Sequence, residues 1–173
     1  SAPIGITVEG SNTLTRNLII FGQGLNKSHP FIYPVLDSIL NDNLEQFTTS
    51  FKAIINHSLS MYFKAMTNYH VSTTLEKQTL HFANLANFVA LKGGALKSEQ
   101  FLSADMADIF SNLYLAHSVQ WYQRNYKVSK KLTDYCIERL CCENQIIFNR
   151  VIDSLGPLKY LLWFSKKKVK TLT

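Results

Sequence analysis

The strongest helical pattern in the chain lies between residues 44 and 69, a stretch without proline or glycine. Its apolar residues recur every three or four positions: Leu44, Phe47, Phe51, Ile54, Ile55, Leu59, Tyr62, Met66 and Tyr69. An α-helix turns once every 3.6 residues, so this spacing places them on one face. The segment therefore predicts a long amphipathic helix with one continuous apolar stripe.

Similar patterns predict helices along most of the chain. The 173 residues include only 7 Gly and 4 Pro, which favours helices over a turn-rich β fold. Besides the helix at 44–69, we expect helices at about 11–22, 29–40, 75–92, 98–126 and 133–155. In the 75–92 helix the apolar residues cover much of the circumference, so it should be central. The predicted fold class is all-α: an antiparallel helical bundle of about four long helices plus short N-terminal helices.

The amino-acid composition limits the classes of protein to which the chain can belong. A hydrophobic content of 46% is enough for a packed core, and 17% charged residues is too low for a disordered chain. No apolar run approaches the ~18 residues that a membrane-spanning helix needs. The three cysteines, Cys136, Cys141 and Cys142, are clustered and odd in number, which indicates buried thiols in a reducing, cytoplasmic compartment rather than disulfides.

The net charge of +6 is concentrated at the C-terminus. From Leu158 onward there are five lysines and no acid, and without these five the chain has 13 basic against 12 acidic residues. A nucleic-acid-binding protein would usually carry a basic face on its folded body, so no nucleic-acid partner is expected. A second cluster comprises Arg124, Lys127, Lys130 and Lys131. We interpret it as a solvated helix end, with an anion or head-group site as the alternative.

No metal site is predicted. The di-iron bundle motif needs a histidine three residues after a glutamate, and no glutamate of the chain has one. The helical histidines occur singly, and no nucleophile-elbow motif accompanies the serines.

The C-terminal tail combines apolar and aromatic residues with lysines, which is typical of a peripheral membrane contact. The residues predicted to meet an anionic membrane surface are Trp163, Phe164, Lys166, Lys167, Lys168 and Lys170. The alternative is that residues 158–164 pack back on the bundle and the lysines are solvated. The sequence leaves both readings open.

One candidate for chemistry lies near the N-terminus. The extended, β-branched run that begins at Ile6 delivers Glu9 and then Gly10, just before a helix-start signal at Ser11 or Asn12. A carboxylate at that place can act as a base on an acidic C–H if an apolar, dry pocket raises its pKa. Ten residues cannot form such a pocket. Because the chain opens with Ser1 rather than Met, we expect that the segment continues from a longer protein.

The same segment resembles a known family. The run Ala2-Pro3-Ile4-Gly5-Ile6-Thr7-Val8-Glu9-Gly10-Ser11-Asn12-Thr13-Leu14-Thr15-Arg16, continuing to Gly24, is similar to the catalytic-glutamate segment of acyl-CoA dehydrogenases. The resemblance is to the large bacterial long-chain enzymes with an extra C-terminal helical domain. The family pattern is Glu-Gly, a small residue, and a helix that reaches an arginine. Ser11 stands where Thr or Ala is usual, which keeps the small size.

The resemblance implies a role for each residue of this segment. Glu9 would remove the α-proton of a long-chain fatty acyl-CoA, and the β-hydrogen would pass as hydride to FAD, giving the trans-2-enoyl-CoA of fatty acid β-oxidation. Gly10 would line the thioester site, and Ser11, Asn12 and Thr13 would contact FAD. An electron-transfer acceptor would be a further partner, and a homo-oligomer is compatible with this interpretation.

The resemblance also divides the chain. Residues 1–28 would end the catalytic helical domain, and residues 29–173 would form the C-terminal extension with its basic tail. The flavin domain would lie upstream, so the isolated fragment is expected to bind no FAD and to be inactive. The alternative is a helical interaction or peripheral-membrane docking module without catalysis, placed in the cytoplasm on the inner face of the membrane.

Overall fold

The computed structural model describes residues 30–92, 95–96 and 98–168. These residues form five α-helices and a final 3₁₀ helix, and none of them lies in a β-strand. The helices are α1 (Ile32–Leu40), α2 (Leu44–Thr67), α3 (Thr74–Ala90), α4 (Gln100–Asn125) and α5 (Lys130–Ser154), followed by the 3₁₀ helix Gly156–Ser165. The predicted all-α bundle is confirmed. The helix predicted at 11–22 falls outside the described residues.

Local side-chain chemistry explains where α2 and α3 begin. The side chain of Asn43 accepts a hydrogen bond from the backbone N–H of Gln46 at 3.0 Å and so caps α2. Thr73 and Glu76 form a reciprocal capping box at the start of α3. The backbone N–H groups of Thr73 and Ser72 donate to the Glu76 carboxylate, which lowers its pKa to about 2.

The start of α5 differs from the sequence prediction. Helix α5 begins at Lys130 rather than near residue 133, because Ser129 is already the extended residue before the first turn. At the other end, Gly156 adopts a left-handed φ of 59°, which ends α5 where the sequence predicts. The chain then continues at once as the 3₁₀ helix.

Helices α3, α4 and α5 and the 3₁₀ helix enclose the core. Helix α3 contacts α2, α4, α5 and the 3₁₀ helix, so its predicted central position is confirmed. The largest fully buried apolar side chains are Leu75, Leu85, Val89, Met106, Ile109, Phe148, Val151, Ile152 and Leu162. All of them come from these four elements.

Helices α1 and α2 form a hairpin whose apolar residues are largely uncovered. In α1 only Ser38 is buried, and in α2 only Ala65. The exposed large apolar side chains on this α1–α2 hairpin are Tyr33, Leu36, Ile39, Leu40, Leu44, Phe51, Ile55, Leu59, Phe63 and Met66. The apolar stripe of α2 is present as predicted, but the described residues cover little of it.

Candidate functional site

The predicted chemical site lies outside the described residues. This applies to Glu9 and Gly10, and to the three residues predicted to contact FAD, Ser11, Asn12 and Thr13. Lys170 of the predicted membrane contact lies outside as well. Their roles therefore stay predictions, and the structure describes the surfaces and cavities of the domain that follows them.

The 3₁₀ helix lies against the bundle and separates the tail residues into two groups. Leu162 is fully buried, and Phe164 is half-buried with its ring edge-on to Tyr62 at 5.5 Å. The Tyr62 hydroxyl also donates to the backbone carbonyl of Leu161 at 3.1 Å. Trp163, by contrast, is 70% exposed. The tail thus packs back on the bundle through Leu162 and Phe164, while Tyr160 and Trp163 stay on the surface.

The tail lysines are held to α5. Lys166 Nζ forms an ion pair with Asp153 at 2.7 Å. The backbone of Lys167 is fixed by Asn149, whose Nδ2 donates to the Lys167 carbonyl at 2.8 Å. The Lys168 side chain is exposed. The lysine run therefore follows α5 for at least its first two residues.

A buried histidine connects three parts of the fold. His81 on α3 has its Nδ1 2.6 Å from Ser165 Oγ and its Nε2 3.1 Å from Asn68 Oδ1, at the end of α2. A carbonyl oxygen can only accept, so Nε2 carries the proton and Nδ1 accepts from the Ser165 hydroxyl. Burial, followed by the positive charges of Lys167 and Lys77, lowers the pKa of His81 to about 4. His81 is therefore neutral near pH 7.

A cavity of about 540 Å³ lies where α3, α4 and α5 meet the tail. Gln78 Nε2 donates to the Cys141 carbonyl at 2.7 Å, while Gln78 Oε1 is buried and has no hydrogen-bond partner among the described residues. Burial, followed by the charges of Cys142 and Glu138, raises the pKa of the Cys141 thiol to about 11. A thiol with so high a pKa stays protonated and is a poor nucleophile near pH 7.

In the part of the chain that the structure describes, no group of three or more His, Cys, Asp and Glu side chains could hold a metal ion, and Cys136, Cys141 and Cys142 are free. No described helix is long and apolar enough to cross a membrane.

The family model for the acyl-CoA dehydrogenase C-terminal domain of bacterial type matches residues 26–167. The chain belongs to this family. The predicted resemblance is therefore confirmed, and it extends over α1 to α5 and the 3₁₀ helix. The Glu9 segment lies N-terminal to the matched residues. No solved structure matches the chain.

Sequence reasoning missed the polar side chains inside the core. Gln78, His81 and Asn84 are all buried on α3. They lie three residues apart, which is the spacing of one helix face. That spacing, on a helix whose other positions are mostly apolar, was a signal from which their burial could have been inferred.

Proposed function

We propose that the chain is the C-terminal part of an FAD-dependent acyl-CoA dehydrogenase that oxidises long-chain fatty acyl-CoA to trans-2-enoyl-CoA in fatty acid β-oxidation. One observation carries the proposal: the family match begins at residue 26, directly after the segment that contains Glu9. The family match covers most of the chain, and the segment beside it resembles the catalytic segment of the same enzyme class. These two observations support that class independently.

In this proposal Glu9 is the base. Its carboxylate takes the α-proton of the thioester substrate, while bound FAD supplies the hydride acceptor. Gly10 leaves room for the thioester beside the base. Ser11, Asn12 and Thr13 offer hydroxyl, amide and backbone N–H donors at the predicted start of a helix, which suits contact with a cofactor.

The exposed face of the α1–α2 hairpin supports this placement. Helix α1 begins at Ile32, only a short distance along the chain from the Glu9 segment, and its neighbour α2 carries the long apolar stripe. Contiguous exposed apolar surface of this kind is usually covered by a partner or by another domain. We propose that the catalytic body of the dehydrogenase covers it.

The test is the visible absorption spectrum of the full-length protein before and after anaerobic addition of a long-chain acyl-CoA. We expect a flavin spectrum that bleaches in the wild type and in Glu45→Gln, a matched control at an exposed carboxylate of α2. In Glu9→Gln the flavin should remain bound but should not bleach. A colourless protein, or a flavin that is indifferent to acyl-CoA, would contradict the proposal.

A second candidate function is docking on an anionic membrane surface, in the cytoplasm, without catalysis by this part of the chain. The observation that favours it is the exposure of Trp163 beside three exposed lysines, Lys166 to Lys168. The two functions are compatible, because docking would use a surface of the domain that follows the Glu9 segment, while oxidation would use the Glu9 segment itself.

A further inference from the structure

The turn between α4 and α5 carries cations that helix stability does not explain. From residue 109 to residue 133 the chain contains no acid, and its basic residues are Arg124, Lys127, Lys130 and Lys131. All four are exposed, and none forms an ion pair with another described residue. Arg124 lies in the last turn of α4, where the helix dipole favours a cation.

Lys130 and Lys131 lie at the opposite kind of helix end from Arg124. They lie in the first turn of α5, which contains no acid. The positive end of the helix dipole disfavours cations there. With the helix start that the sequence predicts, near residue 133, both lysines would lie before the helix and this conflict would not arise. Two lysines at this position therefore oppose the stability of α5. This indicates that their charges serve a purpose other than stabilising the helix.

Exposed aromatic rings surround these cations. Trp121 is 58% exposed, and Tyr122, Tyr126 and Leu132 are also exposed. The rings of Tyr122 and Tyr126 are stacked with centroids 4.5 Å apart, and Trp121 meets Tyr126 edge-on at 6.0 Å. We call the combined surface the hairpin tip; its members are Trp121, Tyr122, Arg124, Tyr126, Lys127, Lys130, Lys131 and Leu132.

We infer that the hairpin tip docks the protein on an anionic membrane surface. Tyr and Trp side chains settle at the level of lipid head groups, because one end of each is apolar and the other polar. Lysines and arginine beside them complement the negative charge of the leaflet. Since no described helix can span a membrane, the contact is peripheral. The inference assigns the docking function to the hairpin tip in place of the tail surface, and it does not depend on the dehydrogenase function.

Ring geometry favours lipid over single-stranded nucleic acid as the occupant. Proteins that bind single strands offer free aromatic faces in a basic groove, on which bases stack. Here Tyr122 and Tyr126 stack on each other, which occupies one face of each ring. The tip is also the end of a helical hairpin rather than a groove. It is suited to meeting a flat interface.

The hairpin tip is more available for docking than the predicted tail surface. In the tail, Lys166 is paired with Asp153 and Phe164 is half-buried against Tyr62. At the tip, Gln123 donates to the nearby acid Asp134 at 3.3 Å, and the lysines form no ion pair with another described residue.

The chain offers a direct test, because its two tryptophans report on the two surfaces separately. In Trp163→Phe the remaining fluorophore is Trp121 at the tip, and in Trp121→Phe it is Trp163 in the tail. Each variant is titrated with vesicles of phosphatidylcholine alone and of phosphatidylcholine mixed with phosphatidylglycerol. We expect a blue shift and protection from acrylamide for Trp121 with the anionic vesicles only. Little change is expected for Trp163.

A matched pair of charge variants tests the electrostatic part. The triple variant K127Q/K130Q/K131Q should bind anionic vesicles about a hundredfold more weakly, since each lysine near an anionic leaflet contributes about a factor of five. K166Q/K167Q/K168Q removes the same charge from the tail and should bind nearly as well as the wild type. Circular dichroism of both variants checks that the helices persist.

Three results would overturn the inference. If Trp163 responds and Trp121 does not, the tail is the docking surface. If neither responds, the chain does not dock through these surfaces. If the tip variant loses affinity for a single-stranded oligonucleotide rather than for vesicles, the occupant is a nucleic acid. None of these outcomes would bear on the flavin test of the dehydrogenase function.

Discussion

The body formed by α3, α4 and α5 and the hairpin formed by α1 and α2 use their apolar residues differently. In the body, residues such as Leu85 and Phe148 are buried almost completely. In the hairpin, Phe51 and Leu59 are about half exposed although they recur with the same helical period. Periodicity decides that both regions are helical, but whether a helix face is covered depends on what packs against it.

The well-packed body formed by α3, α4 and α5 also contains the buried polar groups. Asn84 is 0% exposed, and neither atom of its amide group has a hydrogen-bond partner among the described residues. Gln78 and Asn144 each retain one buried oxygen in the same condition. Such groups oppose stability. The body therefore depends strongly on its apolar contacts, while the hairpin has few to lose.

The largest difference between the regions should appear on truncating one phenylalanine in each. Phe148→Ala removes a side chain that is 1% exposed, and it should lower the free energy of unfolding by about 3–5 kcal/mol. Phe51→Ala removes one that is 48% exposed, and it should cost only about 1 kcal/mol. Urea unfolding of the 173-residue chain, followed by circular dichroism, measures both. Equal losses would break the comparison.

The joint between the two regions should respond to acid. The pKa of His81 is lowered from 6.5 to about 4 in the folded chain, so the unfolded chain binds the proton first as the pH falls. Stability should therefore be unaffected above pH 6.5 and should decline between pH 6.5 and about 4. From the size of that shift, the loss attributable to this histidine should be up to about 3 kcal/mol.

The variant His81→Gln isolates this effect, because it cannot take up the proton. We expect its stability to depend less on pH over the same interval than that of the wild type, whatever its absolute stability. His70→Asn provides the control: His70 is exposed, and asparagine tolerates its left-handed φ. If the wild type and His81→Gln lose stability in parallel on acidification, the assigned pKa is wrong.

The smallest effect is expected at Asn84, next to one of the most deeply buried leucines. Asn84→Ala removes an unpartnered buried amide, so the unfolding free energy should change by less than about 1 kcal/mol or increase. Its neighbour Leu85 is equally buried, and Leu85→Ala should cost about 2–5 kcal/mol. Thermal unfolding of Asn84→Ala and Leu85→Ala measures both changes. A large decrease in the unfolding free energy of Asn84→Ala would show that the Asn84 side chain makes a stabilising polar contact.

Much of the fold followed from local patterns. The sequence predicts the starts of α2 and α3 and the end of α5 to within about one residue. The structure shows that Asn43 and Thr73 cap the two starts and that Gly156 follows α5 with a left-handed φ. The start of α5 was placed too late, because Lys130 and Lys131 carry no apolar periodicity. The exposure of Phe51 depends on contacts distant in sequence, which no local pattern contains.

The candidate sites were predictable to different degrees. The family was recognisable from the segment around Glu9, whose role stays a prediction because it lies outside the described residues. The tail was identified as a candidate surface, but its partial packing through Leu162 required the three-dimensional structure. For the cluster of Arg124, Lys127, Lys130 and Lys131 the sequence predicts a solvated helix end, with an anion or head-group site as the alternative. The conflict at Lys130 appears only when the helix start is known.

The most direct measurement is the product formed by the full-length protein from a long-chain acyl-CoA in the presence of an artificial electron acceptor. We expect mass spectrometry to detect the trans-2-enoyl-CoA, lighter than the substrate by two hydrogen atoms. Glu9→Gln should form none of it. If the wild-type protein, with its flavin bound, leaves the acyl-CoA unchanged or converts it to another product, the chain does not belong to a dehydrogenase of this activity.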